Sequence, residues 1–151
     1  MHTWFGYGFS ALFAVVLVCA GVVDARTRRL PNPLALALVA SAFGASVALN
    51  GPGAAAAHLL CASACFLILM CLELLWRRVA GRAGLGMGDV KALFGIMLID
   101  PPLALLAFGA SLLALAVCAL AARVSSLPLL PFLAGAFLVP FGWSIASAWA
   151  G

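Results

Sequence analysis

WFGYGFSALFAVVLVCAGVVDARTRR, residues 4–29, is an apolar run that ends in a cluster of charge. Its uncharged part, 4–23, has the length of a bilayer-spanning helix, which needs roughly 20 residues. A cleavable secretory signal would carry its basic residues before the apolar run, whereas here the arginines follow Asp24. The run therefore predicts a permanent membrane helix whose C-terminal end lies in the cytoplasm.

The composition extends this interpretation to the whole chain of 151 residues. Hydrophobic residues make up 67% of the sequence and charged residues 8%, whereas soluble domains carry about 25% charged residues. So few charges could not cover a folded surface of this size, which excludes a water-soluble globule. A net charge of +4 spread over such a chain forms no basic stripe, which argues against a nucleic-acid partner.

Apolar stretches, uncharged except for Lys91, follow one another along the sequence. Their number predicts an all-α integral membrane protein with six transmembrane helices, in a single polytopic domain of residues 1–151. A helix rises about 1.5 Å per residue, so the shortest stretch is much too short to span the bilayer by itself. The stretches are 4–23, 34–49, 54–72, 90–99, 103–122 and 129–149.

The basic residues predict the orientation of these segments. All eight Lys and Arg residues lie in or next to the connections after the first, third and fifth stretches. By the positive-inside rule those connections are cytoplasmic, which places both chain termini outside the cytoplasm. Topology and contact with anionic lipid explain these charges sufficiently. The residues are Arg26, Arg28, Arg29, Arg77, Arg78, Arg82, Lys91 and Arg123.

Asp24 and Asp89 are the acidic residues with the strongest claim to chemistry. The predicted topology brings them to the cytoplasmic side on two different helices. Paired carboxylates suffice for aspartic hydrolysis of an amide, because one takes a proton from water while the other, protonated, hydrogen-bonds the carbonyl. Alternatively, each Asp caps a helix, or Asp24 pairs with Arg28. Gly86 and Gly88 leave the backbone bare for a substrate strand beside Asp89, although turn formation also explains them.

The other polar residues predict structural roles. Glu73 precedes Arg77 by four residues, which favours a salt bridge on one helix face. Asp100 stands beside two prolines and is expected in a loop on the opposite side. We expect neither His2 nor His58 to have a carboxylate, Ser or Cys arranged with it. The cysteines lie in apolar runs without a C-x-x-C pair, and no metal site is predicted.

Three motifs resemble those of the type IV prepilin peptidases. Residues 24–32, DARTRRLPN, resemble a motif in which an Asp is followed by a basic loop and then by Ile-Pro-Asn. Residues 86–91, GMGDVK, match the family's Gly-x-Gly-Asp-x-Lys, and residues 127–133, LPLLPFL, resemble the Pro-x-x-Pro-Phe stretch that opens its last helix. Their order, on a chain with six apolar segments, extends the resemblance over nearly the whole length.

The resemblance implies an aspartic endopeptidase of the Gly-x-Gly-Asp class in the inner (plasma) membrane. It would remove the short basic leader of a prepilin or pseudopilin on the cytoplasmic side, for pilus assembly or secretion. Carried over by motif, Asp24 and Asp89 are the catalytic pair. The residues that would shape the site are Gly86, Gly88, Lys91, Pro31 and Asn32.

The sequence differs from the larger family members in one respect that bears on the expected activity. Those members carry a cytoplasmic cysteine-rich insertion with two C-x-x-C pairs, and they also N-methylate the new pilin terminus. This chain has no such insertion, which argues against methyltransferase activity and a requirement for S-adenosylmethionine, so no cofactor is implied. The compact size is similar to that of the Flp/Tad pilus peptidases and the archaeal preflagellin peptidases.

Two other classes of function fit the composition and the predicted topology. In the first, a small transport or assembly protein uses Asp24 and Asp89 to relay protons or bind a cation, since acids within a membrane also mark such pathways. In the second, the chain is a structural subunit of a secretion machine, with both acids as helix caps. Neither alternative explains why Gly-x-Gly-Asp occurs together with the Asp-to-Pro-Asn motif.

Overall fold

The computed structural model describes residues 2–81, 86–123 and 127–150, with side chains from residue 5 to residue 147 within those ranges. The regular secondary structure of these residues consists of α-helices, joined by short connections. Arg82, one of the basic residues in the orientation argument, lies outside the described residues, as do both ends of the predicted domain 1–151. The helices are α1 (His2–Thr27), α2 (Asn32–Ala80), α3 (Met87–Met97), α4 (Pro101–Ala122) and α5 (Leu130–Ala150).

Four of these helices, α1, α2, α4 and α5, are long and apolar enough to cross a membrane. The outer surface of the described bundle carries large apolar side chains, among them Leu60, Leu113 and Trp143, which are 73%, 72% and 78% exposed. Such a surface suits lipid, in which helices satisfy their own backbone hydrogen bonds. α3 has 11 residues and a length of about 16 Å. As predicted, this segment is too short to span a membrane alone.

The long helix α2 is a hairpin of two arms, 32–50 and 52–80. Gly51 has φ 82° and ψ 166°, values outside the helical region, and Pro52 follows it. Ser46 Oγ lies 3.4 Å from His58 Nδ1, whereas residues twelve apart in one straight helix would be separated by about 18 Å. The chain therefore reverses at Gly51, where the sequence predicts a loop between the second and third segments.

Counted with both arms of α2, the described residues form six helical segments. The prediction of an all-α membrane protein agrees with this arrangement and with the four candidate spans. That all six segments cross the bilayer, and that both termini lie outside the cytoplasm, stay predictions. The second arm continues past the predicted apolar stretch 54–72, and its last two turns carry Trp76 and the exposed Arg78.

The short helix α3 stops before Asp100, and a new helix begins there. Asp100 is the N-cap residue of α4, and its side chain accepts a hydrogen bond of 2.9 Å from the Leu103 N–H. Pro101 occupies the first helical position, where a missing N–H costs nothing. The expected loop residue Asp100 is thus a helix cap, which turns the chain back along the bundle.

Contacts between helices show which ends lie together. Phe13 of α1 packs edge to face against Phe137 and Phe141 of α5, and Gly21 lies beside Pro131, so α1 and α5 are antiparallel. Lys91 of α3 contacts Asn32 and Gly95 packs against Leu38, so α3 is parallel to the first arm of α2. The end of α1 and the beginnings of α2, α3 and α5 therefore meet at one end of the bundle. We call this the carboxylate end, after Asp24 and Asp89.

Candidate active site

Asp24 lies in the last turns of α1, pressed against the beginning of α5. Its side chain is buried, with 8% exposure, and its carboxylate accepts a hydrogen bond from the backbone N–H of Leu130. Leu130 is the first residue of α5, so this N–H has no acceptor within its own helix. The positive end of the α5 dipole therefore faces the Asp24 carboxylate and offsets part of the cost of burying its charge.

The backbone just after Asp24 ends α1 sharply. Arg28 adopts a left-handed conformation with φ 53°, and its N–H donates a 2.8 Å hydrogen bond to the Asp24 carbonyl. The Thr27 hydroxyl lies within hydrogen-bond distance of the carbonyls of Val23 and Arg29. These contacts direct the basic loop toward the first arm of α2. The helix end that carries Asp24 is therefore held by its own loop and by the contact with α5.

Asp89 occupies the first turn of α3, three residues after the N-cap residue Gly86. Its carboxylate accepts a hydrogen bond from the Gly86 backbone N–H, which is the reaching-back half of a capping box. Asp89 therefore does contribute to capping α3, as the alternative interpretation expects, although the N-cap residue is Gly86. A Cβ placed on Gly86 would lie 2.7 Å from Asp89 Oδ2. Only glycine at this position leaves the carboxylate its space.

The two carboxylates interact electrostatically. Burial, followed by the nearby charge of Asp24, raises the pKa of Asp89 from 3.8 to about 6, against the opposing effect of the Gly86 N–H. Two like charges in a poorly solvated place ionise less easily together than apart. The structure therefore brings the Asp24 and Asp89 carboxylates into one site, and each also faces the N-terminus of a helix.

Gly88 lets the two motif-bearing loops touch. A Cβ at this position would lie 3.1 Å from Leu30 Cβ and 3.5 Å from the Leu30 backbone nitrogen. Leu30 is buried beneath this contact, with 9% exposure. Because Leu30 lies in the loop that follows Asp24, the absence of a side chain at Gly88 determines how closely that loop approaches Asp89.

A second contact joins the same two motifs. Lys91 Nζ donates a 2.8 Å hydrogen bond to Asn32 Oδ1, across 59 residues of sequence. Pro31 is the N-cap residue of α2, with φ −60° and ψ 141°, and Asn32 is the first helical residue. The fixed φ of proline thus places Asn32 where it reaches α3. Lys91 and Asp89 stand on the same helix, so this bond ties the Asp89 helix to the start of α2.

The other polar residues lie apart from this pair. Glu73 forms the predicted salt bridge with Arg77, at 2.6 Å. The expectation for His58 is wrong, because its Nδ1 lies 3.4 Å from Ser46 Oγ and 3.2 Å from the Leu98 carbonyl oxygen at the opposite end of the bundle. The hairpin at Gly51 creates this cluster, and nothing in the sequence pairs residues 46 and 58. Among the described residues, no group of three His, Cys, Asp or Glu side chains could hold a metal ion.

The hydrogen bond from the Leu130 N–H to Asp24 is a contact of the candidate site that the sequence did not predict. Leu130 lies inside the Leu-Pro-Leu-Leu-Pro-Phe-Leu stretch of residues 127–133, so the motif marked the right place. The sequence could not show that the helix opened by this motif points its first N–H groups at Asp24. That relation depends on how α5 packs against α1.

Comparison with protein-family models matches residues 11–143 to the model described as the type IV leader peptidase family. The matched range contains both carboxylates, both glycines and the Lys91–Asn32 contact. No curated protein and no solved structure matches the chain.

Proposed function

The chain belongs to the type IV leader peptidase family, and on that basis we propose that it is a membrane-embedded aspartic endopeptidase. Its substrate is a type IV prepilin of the Flp/Tad kind, and its product is the mature pilin without the short basic leader. Hydrolysis takes place at the cytoplasmic face of the inner membrane. Asp24 and Asp89 are the catalytic residues.

One observation supports this assignment above the others. Burial raises the pKa of Asp89 to about 6, and Asp24, on a separate helix, lies close enough that its charge contributes to the increase. An aspartic hydrolase needs two carboxylates that hold one proton between them at working pH, and mutual repulsion in a poorly solvated site produces this state. Two acids that only capped separate helices would not need to be near each other.

The proposed mechanism uses the two carboxylates in unlike roles. The ionised one takes a proton from a water molecule, and the protonated one hydrogen-bonds the oxygen of the scissile carbonyl. The water oxygen then attacks the carbonyl carbon to give a tetrahedral intermediate. Collapse of that intermediate breaks the C–N bond, and a carboxyl proton goes to the leaving amine. The helix N-termini beside Asp24 and Asp89 stabilise the negative charge that remains on the pair.

Five further residues hold the pair in position. Gly86 leaves room for the Asp89 carboxylate, and Gly88 lets the loop after Asp24 approach. Pro31 starts α2, and Asn32 receives the hydrogen bond of Lys91. These contacts connect the two acidic motifs to each other without touching the reacting atoms.

The distribution of charge supports a cytoplasmic site. The described basic residues belong to the end of α1 and the loop after it, the end of α2, the beginning of α3 and the end of α4. By the direction of the helices, all of these lie at the carboxylate end. Positive residues remain on the cytoplasmic side, so the carboxylates would face the compartment from which the basic leader arrives.

Co-expression with a prepilin from the same organism tests the proposal. We expect wild-type protein to shorten the prepilin on a gel, and Asp24→Asn and Asp89→Asn each to abolish the shortening. Both variants should still be extracted from the membrane as folded protein. Full processing by either variant contradicts the catalytic pair. Proton flux across vesicles without leader removal would indicate the transport alternative.

A further inference from the structure

We propose that an apolar groove at the carboxylate end of the bundle receives the hydrophobic helix of the substrate, on the C-terminal side of the scissile bond. This inference rests on the proposed peptidase function and specifies how that function selects a substrate. The groove has a volume of about 550 Å³ and lies between both arms of α2 and α3. Its polar end is formed by Asn32 and Lys91, and its apolar walls include Leu36, Val39, Phe66 and Phe94.

The position of the groove follows from the helix that carries Asp89. Lys91 is two residues beyond Asp89 on α3, and Phe94 is one turn further from the carboxylate end. On α2, Asn32 stands at the same end, and Val39 lies seven residues deeper. Residues two apart on a helix point about 200° apart, so the groove opens on a different face of α3 from Asp89. It begins at the carboxylate end of the bundle and runs inward for about 10 Å, the rise of seven helical residues.

The residues that line the groove are spaced as residues on one face of a helix are. The residues that α2 and α3 contribute recur at intervals of three and four, such as Asn32, Leu36 and Val39 or Lys91 and Phe94. Faces of this kind accept an amphipathic or apolar helix as a third partner. Leu36 is 70% exposed and Leu67 63% exposed, so each arm of α2 leaves a large apolar rim without cover inside the described structure.

The direction of the groove matches the polarity of a leader-bearing substrate. A substrate whose basic leader is cytosolic enters the carboxylate end with that leader, and its apolar segment follows toward the bilayer centre. The groove leads the same way from the same end of the bundle. A peptide held at Asp24 and Asp89 that passes around the start of α3 would therefore place its apolar turns between the two arms of α2 and α3.

Photocrosslinking tests the occupant directly and does not depend on hydrolysis. A benzophenone amino acid is placed at Leu36 or at Val39 in the Asp24→Asn variant, which is co-expressed with a prepilin. We expect crosslinks to the apolar segment of the prepilin. The prepilin residue crosslinked by the probe at Val39 should lie about three residues further from the scissile bond than the residue crosslinked by the probe at Leu36. The same probe at Leu60, an exposed residue outside the groove, should give no prepilin crosslink. Crosslinks only to lipid, or to a second copy of the chain, overturn the proposal.

A kinetic comparison provides the second test. Two substrates are used: a full prepilin, and a short peptide that ends a few residues after the scissile bond. For Leu36→Trp and Ser63→Trp, which fill the groove, we expect the ratio of kcat/KM for prepilin to that for peptide to fall roughly tenfold. For Leu60→Trp the ratio should equal that of wild type. An unchanged ratio in both groove variants contradicts the proposal.

The two tests separate this inference from the function on which it rests. Groove crosslinks together with a wild-type protein that cleaves no prepilin would support the docking surface and remove the peptidase assignment. Cleavage that depends on Asp24 and Asp89, without groove crosslinks, would retain the peptidase and remove the docking surface.

Discussion

Lys91 donates a hydrogen bond of 2.8 Å to Asn32, and this bond joins two motifs that stand 59 residues apart in the sequence. One motif carries Asp24 at the end of α1, and the other carries Asp89 at the start of α3. The packing of Gly88 on Leu30 provides a second connection between them. The two acids therefore belong to one unit, although each is at the end of a different helix.

Loss of the Lys91 contact should lower activity moderately. We expect Lys91→Met and Asn32→Ala each to reduce leader removal by about fivefold, because an exposed hydrogen bond contributes about 1 kcal/mol. The double variant should be little worse than either single one, since both remove the same bond. Rates of processing in membranes of equal protein content provide the measurement.

Arg78→Met is the matched control for Lys91→Met. Arg78 is an exposed cation at the same end of the bundle, so its replacement changes the net charge equally and should leave processing unchanged. Strictly additive losses in the Lys91→Met and Asn32→Ala double variant would contradict a shared contact.

Gly86→Ala should inactivate the protein without unfolding it. The added Cβ would lie 2.7 Å from Asp89 Oδ2, a distance that forces the carboxylate to move. We expect at least a tenfold loss of cleavage, because small displacements of a catalytic group cost about two orders of magnitude in rate. Cleavage of a prepilin and the thermal midpoint of the purified protein are both measured.

Gly109→Ala on α4 is the control for this substitution. A Cβ there would meet no other atom within 4 Å, and alanine is the better helix former. Gly109→Ala should therefore keep full activity and equal or higher stability. Wild-type cleavage by Gly86→Ala would show that the Asp89 carboxylate does not need its present position.

Gly88→Ala should push the two acidic motifs apart and lower cleavage. Second substitutions at Leu30 show which part of Leu30 the added methyl group meets. The added Cβ would meet Leu30 at Cβ and at the backbone, so Leu30→Ala leaves the clash in place and should not restore cleavage. Leu30→Gly removes the 3.1 Å contact and should restore part of it. Equal rescue by Leu30→Ala and Leu30→Gly would mean that the outer part of the leucine side chain causes the defect.

Much of the fold can be predicted from the sequence for a physical reason. A chain in lipid satisfies its backbone hydrogen bonds within helices, so the apolar runs before Asp24 and after Asp100 had to be helical. The turn at Gly51 follows from glycine and proline next to each other. The sequence also shows that residues 90–99 are too short to span a membrane, because this depends only on the number of residues.

The packing around the site could not be predicted in this way. Small-residue contacts such as Gly88 against Leu30, and polar contacts such as Ser46 with His58, join positions that no local pattern relates. The same is true of the Leu130 N–H at Asp24. A motif identifies residues that share a role, whereas the side of a helix that reaches a partner depends on the crossing of whole helices.

The raised pKa of Asp89 predicts how stability depends on pH. Its folded pKa of about 6 exceeds the ordinary value of 3.8, so the folded state binds this proton more tightly than the unfolded state. The resulting stabilisation is complete below pH 3.8 and is lost as the pH rises through about 6. Asp89→Asn cannot ionise, so its thermal midpoint should exceed that of wild type more at pH 8 than at pH 5. An equal difference at both pH values would contradict burial of the Asp89 charge.

The same pKa predicts the alkaline limb of the cleavage reaction. The charge of Asp24 contributes to the raised pKa of Asp89, so Asp24 is ionised while Asp89 titrates. Below about pH 6 the pair therefore holds the single proton that the mechanism needs, and above it both carboxylates are ionised and neither donates a hydrogen bond to the scissile carbonyl. We expect kcat/KM in detergent to fall as the pH rises through about 6. Gly109→Ala should give the same curve, since it lies away from the pair. A rate that stays constant from pH 5 to pH 8 would exclude Asp89 as the group that holds the proton of the pair.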